Sequence, residues 1–512
     1  MVDASHKNYK WIILALVVVS SFMAILDVNI VTVGMPKIMS HFGVDITDVE
    51  WIMIAYTITY SIVILPMSFI RRKYGIKYPF MFSILIFTIG SALCGISPSF
   101  TDLIIFRIIQ AIGGAGLTPT GLNLIAEVFP PSERGEAMGI WSIGAMVAPA
   151  IGPFLGGYIV DYVNWRWIFY VNVPIGIIAL LGAAIILAYD KPAITYNKKF
   201  DYVGFAFISI CLGLLLYALN EGQTFGWHSP AIIQSELISG IAFVGFLINE
   251  IFVATPLINL EIFSNYNFVI STLVNMVRAV GVFGAMFLLP LFLENILGYN
   301  AMRAGILMAP TAISVAFVSF FSGRITDRIG PRYPLVIGLL IVAYSMFLFN
   351  NLSLNTSMYD IIINQVIRGI GIGLLNAPVM SAALNSVKKE LIPEASSLIP
   401  ATLQIGASFG IAFIGNELVV RQVYHLNQYA RDVNYNSSIY HNMINFLQSD
   451  IINRAPSYLR FGTAFPSNKL AFFDYLIQML ASIASYGDAF AILGYITLGG
   501  ALIAIFIKNK TS

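Results

Sequence analysis

About fourteen times along this 512-residue chain, some twenty residues pass with hardly a charged side chain among them. A helix needs roughly 20 apolar residues to cross a hydrocarbon core of about 30 Å. Only helices and closed barrels can cross, because lipid offers backbone groups no partner. These runs are continuous rather than alternating, so they read as helices. They lie near 11–33, 51–70, 78–97, 102–126, 136–158, 166–188, 202–220, 233–253, 268–292, 303–322, 334–350, 359–384, 395–418 and 486–507.

Charged residues make up 11% of the chain and hydrophobic ones 58%, where a soluble domain carries about 25% and 45–50%. So few charges cannot cover a water-facing surface, and the fold class is all-α integral membrane. The formal net charge of +2 is no footprint for nucleic acid. Cys94 and Cys211 both fall in apolar runs, which argues against a disulfide framework. No cleavable signal peptide is read at the start. No nucleotide-binding G-x-x-x-x-G-K-[ST] and no zinc-binding H-E-x-x-H occurs, so no cofactor or metal is expected.

Basic residues set the orientation. With the N-terminus inside, about 17 Lys and Arg fall on inner segments, among them Arg71, Arg72, Lys73, Lys77, Arg134, Arg324, Arg328, Lys388 and Lys389. The short outer loops hold Lys37, Arg166 and Arg303, and the long segment 419–485 adds five more. An even number of spans then puts both termini in the cytoplasm of a cell-membrane protein.

The chain also repeats itself. SFIRRKYGIKYP from Ser68 matches GRITDRIGPRYP from Gly323, with Gly75 on Gly330, Lys77 on Arg332, Tyr78 on Tyr333 and Pro79 on Pro334. QAIGGAG from Gln110 and RGIGIG from Arg368 repeat at a similar offset. Duplicated helical halves around a midplane site are a common transporter design. The chain therefore divides into an N-terminal six-helix bundle (1–190), an inserted helix pair (191–260) and a C-terminal six-helix bundle (261–512).

Further motifs stand in order along the chain: LDVNIVTVGMPKI in span 1, RIIQAIGGAG in span 4, PAIGPFLGGYI in span 5, WRWIFYVNVPIG entering span 6, GRITDRIG after span 10 and YGDAF opening span 14. In this order and spacing the chain resembles the fourteen-span drug/proton antiporters (EmrB/QacA-type) of the major facilitator superfamily, from Leu26 to Ala489. The resemblance implies that superfamily's fold, proton coupling and efflux of small molecules. The first inner loop of that family usually reads G-x-L-A-D-R-x-G. Here Ser68 replaces its glycine and Arg72 its aspartate, so the intact copy with Gly323, Asp327 and Arg328 must supply the gating contact.

Charges inside a bilayer cost several kcal/mol, so each is a functional hypothesis. Asp27 lies roughly 24 Å along span 1 from its inner end, and Arg107 roughly 22 Å from the inside on span 4. At one depth, the two read as a proton-coupling pair, with Arg107 favouring the charged carboxylate. The alternative is a structural ion pair that never titrates. Arg278 and Arg368 come near the midplane of spans 9 and 12, roughly 15 and 16 Å from the inside, with no carboxylate at their depth. Asn29, Gln110, Asn123, Asn275, Asn364, Gln365 and Asn376 are further candidates to line a substrate cavity, and an arginine bonded to such amides would never meet substrate. All five histidines fall outside the expected spans, so carboxylates must carry coupling.

Span 5 carries Gly144, Pro149, Gly152, Pro153, Gly156 and Gly157. Glycines four apart let helices approach closely, and proline bends a helix. Span 5 should therefore pack against the opposite half and pivot there, and in the resembling family this motif marks exporters. Segment 419–485 is too polar to span and is expected outside, as an amphipathic cap, an accessory-protein site or a solvated linker.

The residues leave three readings open: a proton-driven exporter of amphipathic compounds, a transporter of a defined metabolite or organic anion, and a receptor or enzyme on a transporter scaffold. The first two share small-molecule substrates and a lipid bilayer as partners; protons join them in the first. For topology, a cysteine replacing Ser457 should react with an impermeant thiol reagent in intact cells. Labelling only after the cells are opened would reverse the orientation.

Overall fold

The structure, a computed structural model, describes residues 9–187, 199–432 and 469–508. Among these residues, thirteen helices are long and apolar enough to cross a membrane, and a bent pair makes a fourteenth span. The N-terminal bundle comprises α1 (Tyr9–Phe42), α2 (Ile46–Val63), α3 (Met67–Tyr74), α4 (Lys77–Ile96), α5 (Phe100–Val128), α6 (Arg134–Tyr162), α7 (Trp167–Tyr170) and α8 (Asn172–Ile186). The inserted pair is α9 (Tyr202–Phe225) and α10 (Pro230–Phe252). The C-terminal bundle comprises α11 (Tyr266–Leu291), α12 (Ala301–Ile329), α13 (Arg332–Leu348), α14 (Met358–Gly373), α15 (Asn376–Ser386), α16 (Ile392–Asp432) and α17 (Lys469–Ala504).

In the first bundle α4 packs on α5 and α1 on α6; in the second α11 packs on α16 and α17, and α12 on α14. The inserted α9 touches both α2 and α16, so the pair sits at a seam between the bundles. Tyr9 and Lys508 lie at one face. There Lys10 pairs with Glu133, Asn265 donates to the Ser386 carbonyl and Asn267 to that of Lys508. The same face carries Arg71, Arg72 and Arg324, and is called the basic face below. Gly75 and Gly330 end α3 and α12 there with φ of 77° and 85°. Only glycine adopts that conformation freely, which explains why the repeat keeps both.

Several expectations are corrected. Span 2 is not one helix but α2 and α3, bent by 50° at residues 64–66. Pro66 has no N–H and its ring crowds the preceding turn. Span 12 breaks between α14 and α15, after Gly369, Gly371 and Gly373 and just ahead of Pro378. Segment 419–485 is largely helical where it is described: α16 runs on to Asp432 and α17 begins at Lys469. Polarity there ends the apolar run but not the helix. Gln422 donates to Ser482 at 2.8 Å, and His425 lies 2.9 Å from Asp488, so the two helices stay paired past the apolar boundary. His41 and His425 thus lie within α1 and α16, near the ends away from the basic face, while His6 and His441 fall outside the described residues. The stretch 433–468, including the proposed accessory-protein surface, is also outside them.

Gly144, Gly152 and Gly156 of span 5 do not meet the opposite bundle. A Cβ on Gly144 would meet Val18 at 2.8 Å, one on Gly152 would meet Asn29 at 2.8 Å, and one on Gly156 would meet Ile30 at 3.0 Å, all on α1 of the same bundle. Gly157 faces open space. The helix runs unbroken through Pro149 and Pro153, the latter's side chain lying outside the described set. Contact with the C-terminal bundle is made by Gly135 and Gly139 instead, against Gly323 and Ser319 of α12. A Cβ on Gly323 would fall onto the Gly135 backbone and stand 2.8 Å from the Glu136 Cα.

Overpacking of this kind costs about 1–3 kcal/mol. Gly323→Val should lower the melting temperature of the purified protein by forcing α6 and α12 apart. An unchanged melting temperature would show that these backbones do not approach so closely.

Candidate functional site

The site in the N-terminal bundle begins with Asp27, midway along the 34-residue α1 and fully buried. Arg107, on α5, is also fully buried, and its Nη1 lies 2.5 Å from the Asp27 Oδ2. The two residues placed at one depth by counting are therefore in contact. Arg107 Nη1 also donates to the Gln110 Oε1 at 2.7 Å, and Gln110 Nε2 donates to the Asp27 Oδ1 at 2.8 Å. Residues three apart on a helix share a face, so α5 presents arginine and glutamine to one carboxylate.

Two members escaped the sequence reading. Asn172, at the start of α8, donates to the Asp27 Oδ1 at 2.8 Å and to the Ser91 Oγ at 3.1 Å. It stands inside the motif WRWIFYVNVPIG, and its polarity at the mouth of an apolar span was the available signal. Tyr56 lays its ring 4.3 Å from the Arg107 guanidinium carbon, a cation–π contact. Its own hydroxyl is buried without a partner. Close approach of α4 and α5 makes this possible: a Cβ on Gly90 would stand 2.6 Å from the Gln110 Cα. Asn29 is not part of the network. Its amide donates to the Ile25 carbonyl of its own helix at 2.7 Å. Asn123 is buried farther along α5.

The C-terminal bundle holds a different arrangement. Arg278 on α11 is buried and donates to the side-chain oxygens of Asn376 and, at 2.8 Å, Asn275. Asn275 in turn donates to the Ile399 carbonyl at 2.9 Å and to the Thr402 Oγ1 at 3.2 Å on α16. Asn364 donates to the Ser345 carbonyl at 3.0 Å. Gln365 and Arg368 on α14 are buried with side-chain atoms left unpartnered. Thr402 also lines a largely apolar cavity of about 860 Å³ between α9, α10 and α16, where the rings of Phe409 and Phe413 stack 5.8 Å apart.

At the basic face the bundles are tied by charge. Asp327, ending α12, accepts from the backbone N–H of Gly135 and of Glu136, each at 2.9 Å. It caps the positive end of α6 across the seam. Arg324 bonds to Glu136 at 2.7 Å, and Arg134 to Asn385 at 2.8 Å. In the other copy of the loop Arg72, in place of the family's aspartate, pairs with Glu394 in the first turn of α16. The acid lost from the loop thus reappears on the helix it faces. Arg328 is exposed.

A family model described as the Major Facilitator Superfamily matches residues 17–411. The chain belongs to the major facilitator superfamily. An uncharacterized MFS-type transporter, YhcA of Bacillus subtilis, is 30% identical over 99% of this chain and 95% of its own length. A multidrug resistance protein B homolog of Mycobacterium tuberculosis is 31% identical over 78% of this chain and 74% of its own. The tetracenomycin C resistance and export protein of Streptomyces glaucescens is 28% identical over 80% and 76%. Such relatives place the chain with the drug-efflux branch of the superfamily, whose members are transporters rather than enzymes. Among solved structures, the human organic anion transporter MFSD10 superposes with a TM-score of 0.62 at 11% identity, over 95% of this chain and 99% of that one. The proton:xylose symporter XylE gives 0.61 at 12% identity, over 98% and 96%. At such identities the likeness is one of fold.

Removing one member of a buried ion pair costs about 3–5 kcal/mol, whereas removing both leaves no orphan charge. In this superfamily member Arg107→Gln should therefore lower the melting temperature more than the double variant Asp27→Asn with Arg107→Gln. Equal losses would show that the two charges do not support each other.

Proposed function

We propose that the chain exports small amphipathic compounds across the cell membrane in exchange for protons, with the basic face in the cytoplasm. The observation that carries this reading is Asp27: a fully buried carboxylate in mid-helix, held by three donors from α5 and α8. An intramembrane acid in such a place is a functional site by default. A proton arriving on Asp27 cancels the charge that holds Arg107. The arginine keeps Gln110 and the Tyr56 ring, while α1 loses its electrostatic tie to α5.

The basic-residue tally supports the orientation. The contacts of Asp327, Arg324, Arg134 and Arg72 support a state sealed at the basic face. Alternating access would then be a rocking of one bundle against the other about the close α6–α12 approach, the type of motion duplicated transporter folds use. The cavity of about 860 Å³ suits the cargo, since drug-sized ligands occupy apolar pockets of about 300–1,000 Å³ with few polar groups. The names of the multidrug relatives support the same cargo class.

The test is Asp27→Asn in proteoliposomes with an imposed proton gradient and a panel of cationic, neutral and anionic dyes. Accumulation driven by the gradient should vanish while the protein stays inserted and downhill movement persists. An asparagine variant that still exports uphill at the normal rate would remove Asp27 from the coupling step.

A further inference from the structure

The N-terminal charge site has a counterpart in the C-terminal bundle that lacks its acid. Aligning QAIGGAG with RGIGIG places Gln110 on Arg368 and, three residues earlier, Arg107 on Gln365. Both helices thus carry one arginine and one glutamine a turn apart, in exchanged order. On α5 the pair is completed by Asp27. On α14 it is completed by nothing among the described residues. Gln365 is fully buried, and neither its amide nitrogen nor its amide oxygen has a partner. Arg368 is 3% exposed, and its Nε and Nη1 are unpartnered.

Arg278, whose Nε is likewise without a partner, has both Nη atoms met by side-chain oxygens. Among the described residues no side-chain oxygen accepts from the Arg368 Nε or Nη1. A buried charge is kept only when it is paired or faces a watery cavity, and leaving one uncompensated costs several kcal/mol. Guanidinium geometry matches a carboxylate, and a charge-assisted bond is about twice as strong as a neutral one. The Gln365 amide adds a donor beside it, as Gln110 does for Asp27.

We propose that the substrate supplies the missing acid: Arg368 and Gln365 bind the carboxylate of an amphipathic organic acid. This names a substrate class for the exporter proposed above, and rests on that reading only for the direction and driving force of transport.

The test uses the purified full chain in nanodiscs of zwitterionic lipid, which removes anionic headgroups as an alternative source of the acid. Binding of pyrenebutyrate, of its amide and of a pyrenyl trimethylammonium is measured by equilibrium dialysis. The acid should bind at least about tenfold more tightly than the amide, a difference of about 1.4 kcal/mol. Arg368→Gln should bring acid and amide within about threefold of each other, leaving amide binding unchanged, and Arg368→Lys should keep part of the preference. If Arg368→Gln also loses the amide, Gln365→Met carries the test: it keeps the charge and should cut the preference by about threefold or more. Equal binding of acid and amide by the native protein, or an undiminished preference in Arg368→Gln or Gln365→Met, overturns the proposal. Asp27→Asn should leave the preference intact. An acid preference without uphill movement of pyrenebutyrate in a proton gradient would sink the exporter reading and leave this site standing; uphill export of amide and acid alike would do the reverse.

Discussion

Hydrocarbon offers no hydrogen bond and no counter-charge, so every polar group carried into it must find its partner within the protein. The backbone answers with helices, and the side chains answer with clusters. Asp27 is the clearest case. Its two oxygens take Arg107, Gln110 and Asn172 from two other helices, so three spans converge on one carboxylate. The close approach of α4 and α5 at Gly90 sets Gln110 in place, and the Tyr56 ring covers the guanidinium. In the other bundle Arg278 is met by asparagines, a neutral answer to the same demand.

Much of this was legible in the residues because hydrophobicity and depth are linear properties. Counting residues along two apolar runs put Asp27 and Arg107 at one level, and at one level two charges in lipid find each other. What the pattern hid is where a helix bends and where it outlasts its apolar stretch. Ile64 to Pro66 reads as more hydrophobic span, yet proline chemistry breaks it. Val419 to Asp432 reads as loop because it is polar, yet its side chains pair with α17 and the helix goes on. Asn172 was overlooked because one amide at a span entrance looks like interfacial decoration until the fold swings α8 beside α1. Gly144, Gly152 and Gly156 of α6 were seen but given the wrong neighbour, while Gly135 and Gly139 of the same helix meet α12: spacing says that a helix will be approached closely, not by which partner.

The two copies of the basic-face loop solve one problem with opposite signs. In the second copy an acid, Asp327, accepts from the N-terminal turn of α6. In the first copy a base, Arg72, meets an acid that the start of α16 itself provides. Sequence comparison within the chain registers only the loss of an aspartate. The structure shows that an attractive contact is kept while its polarity is inverted.

Helix α16 is a single rod of 41 residues, about 60 Å at a rise of ~1.5 Å per residue. Near one end it holds Glu394 against Arg72; farther along it offers Thr402 to Asn275 and Phe409 and Phe413 to the cavity; toward the other it sets His425 against Asp488. Such a rod behaves as a lever. A tilt of about 10° around its middle would carry each end by about 5 Å in opposite directions, enough to part an ion pair at one face while pressing the other closed. Mechanical linkage between the two mouths of the protein therefore needs no relay of side chains, because one uninterrupted helix already reaches from the first contact to the last.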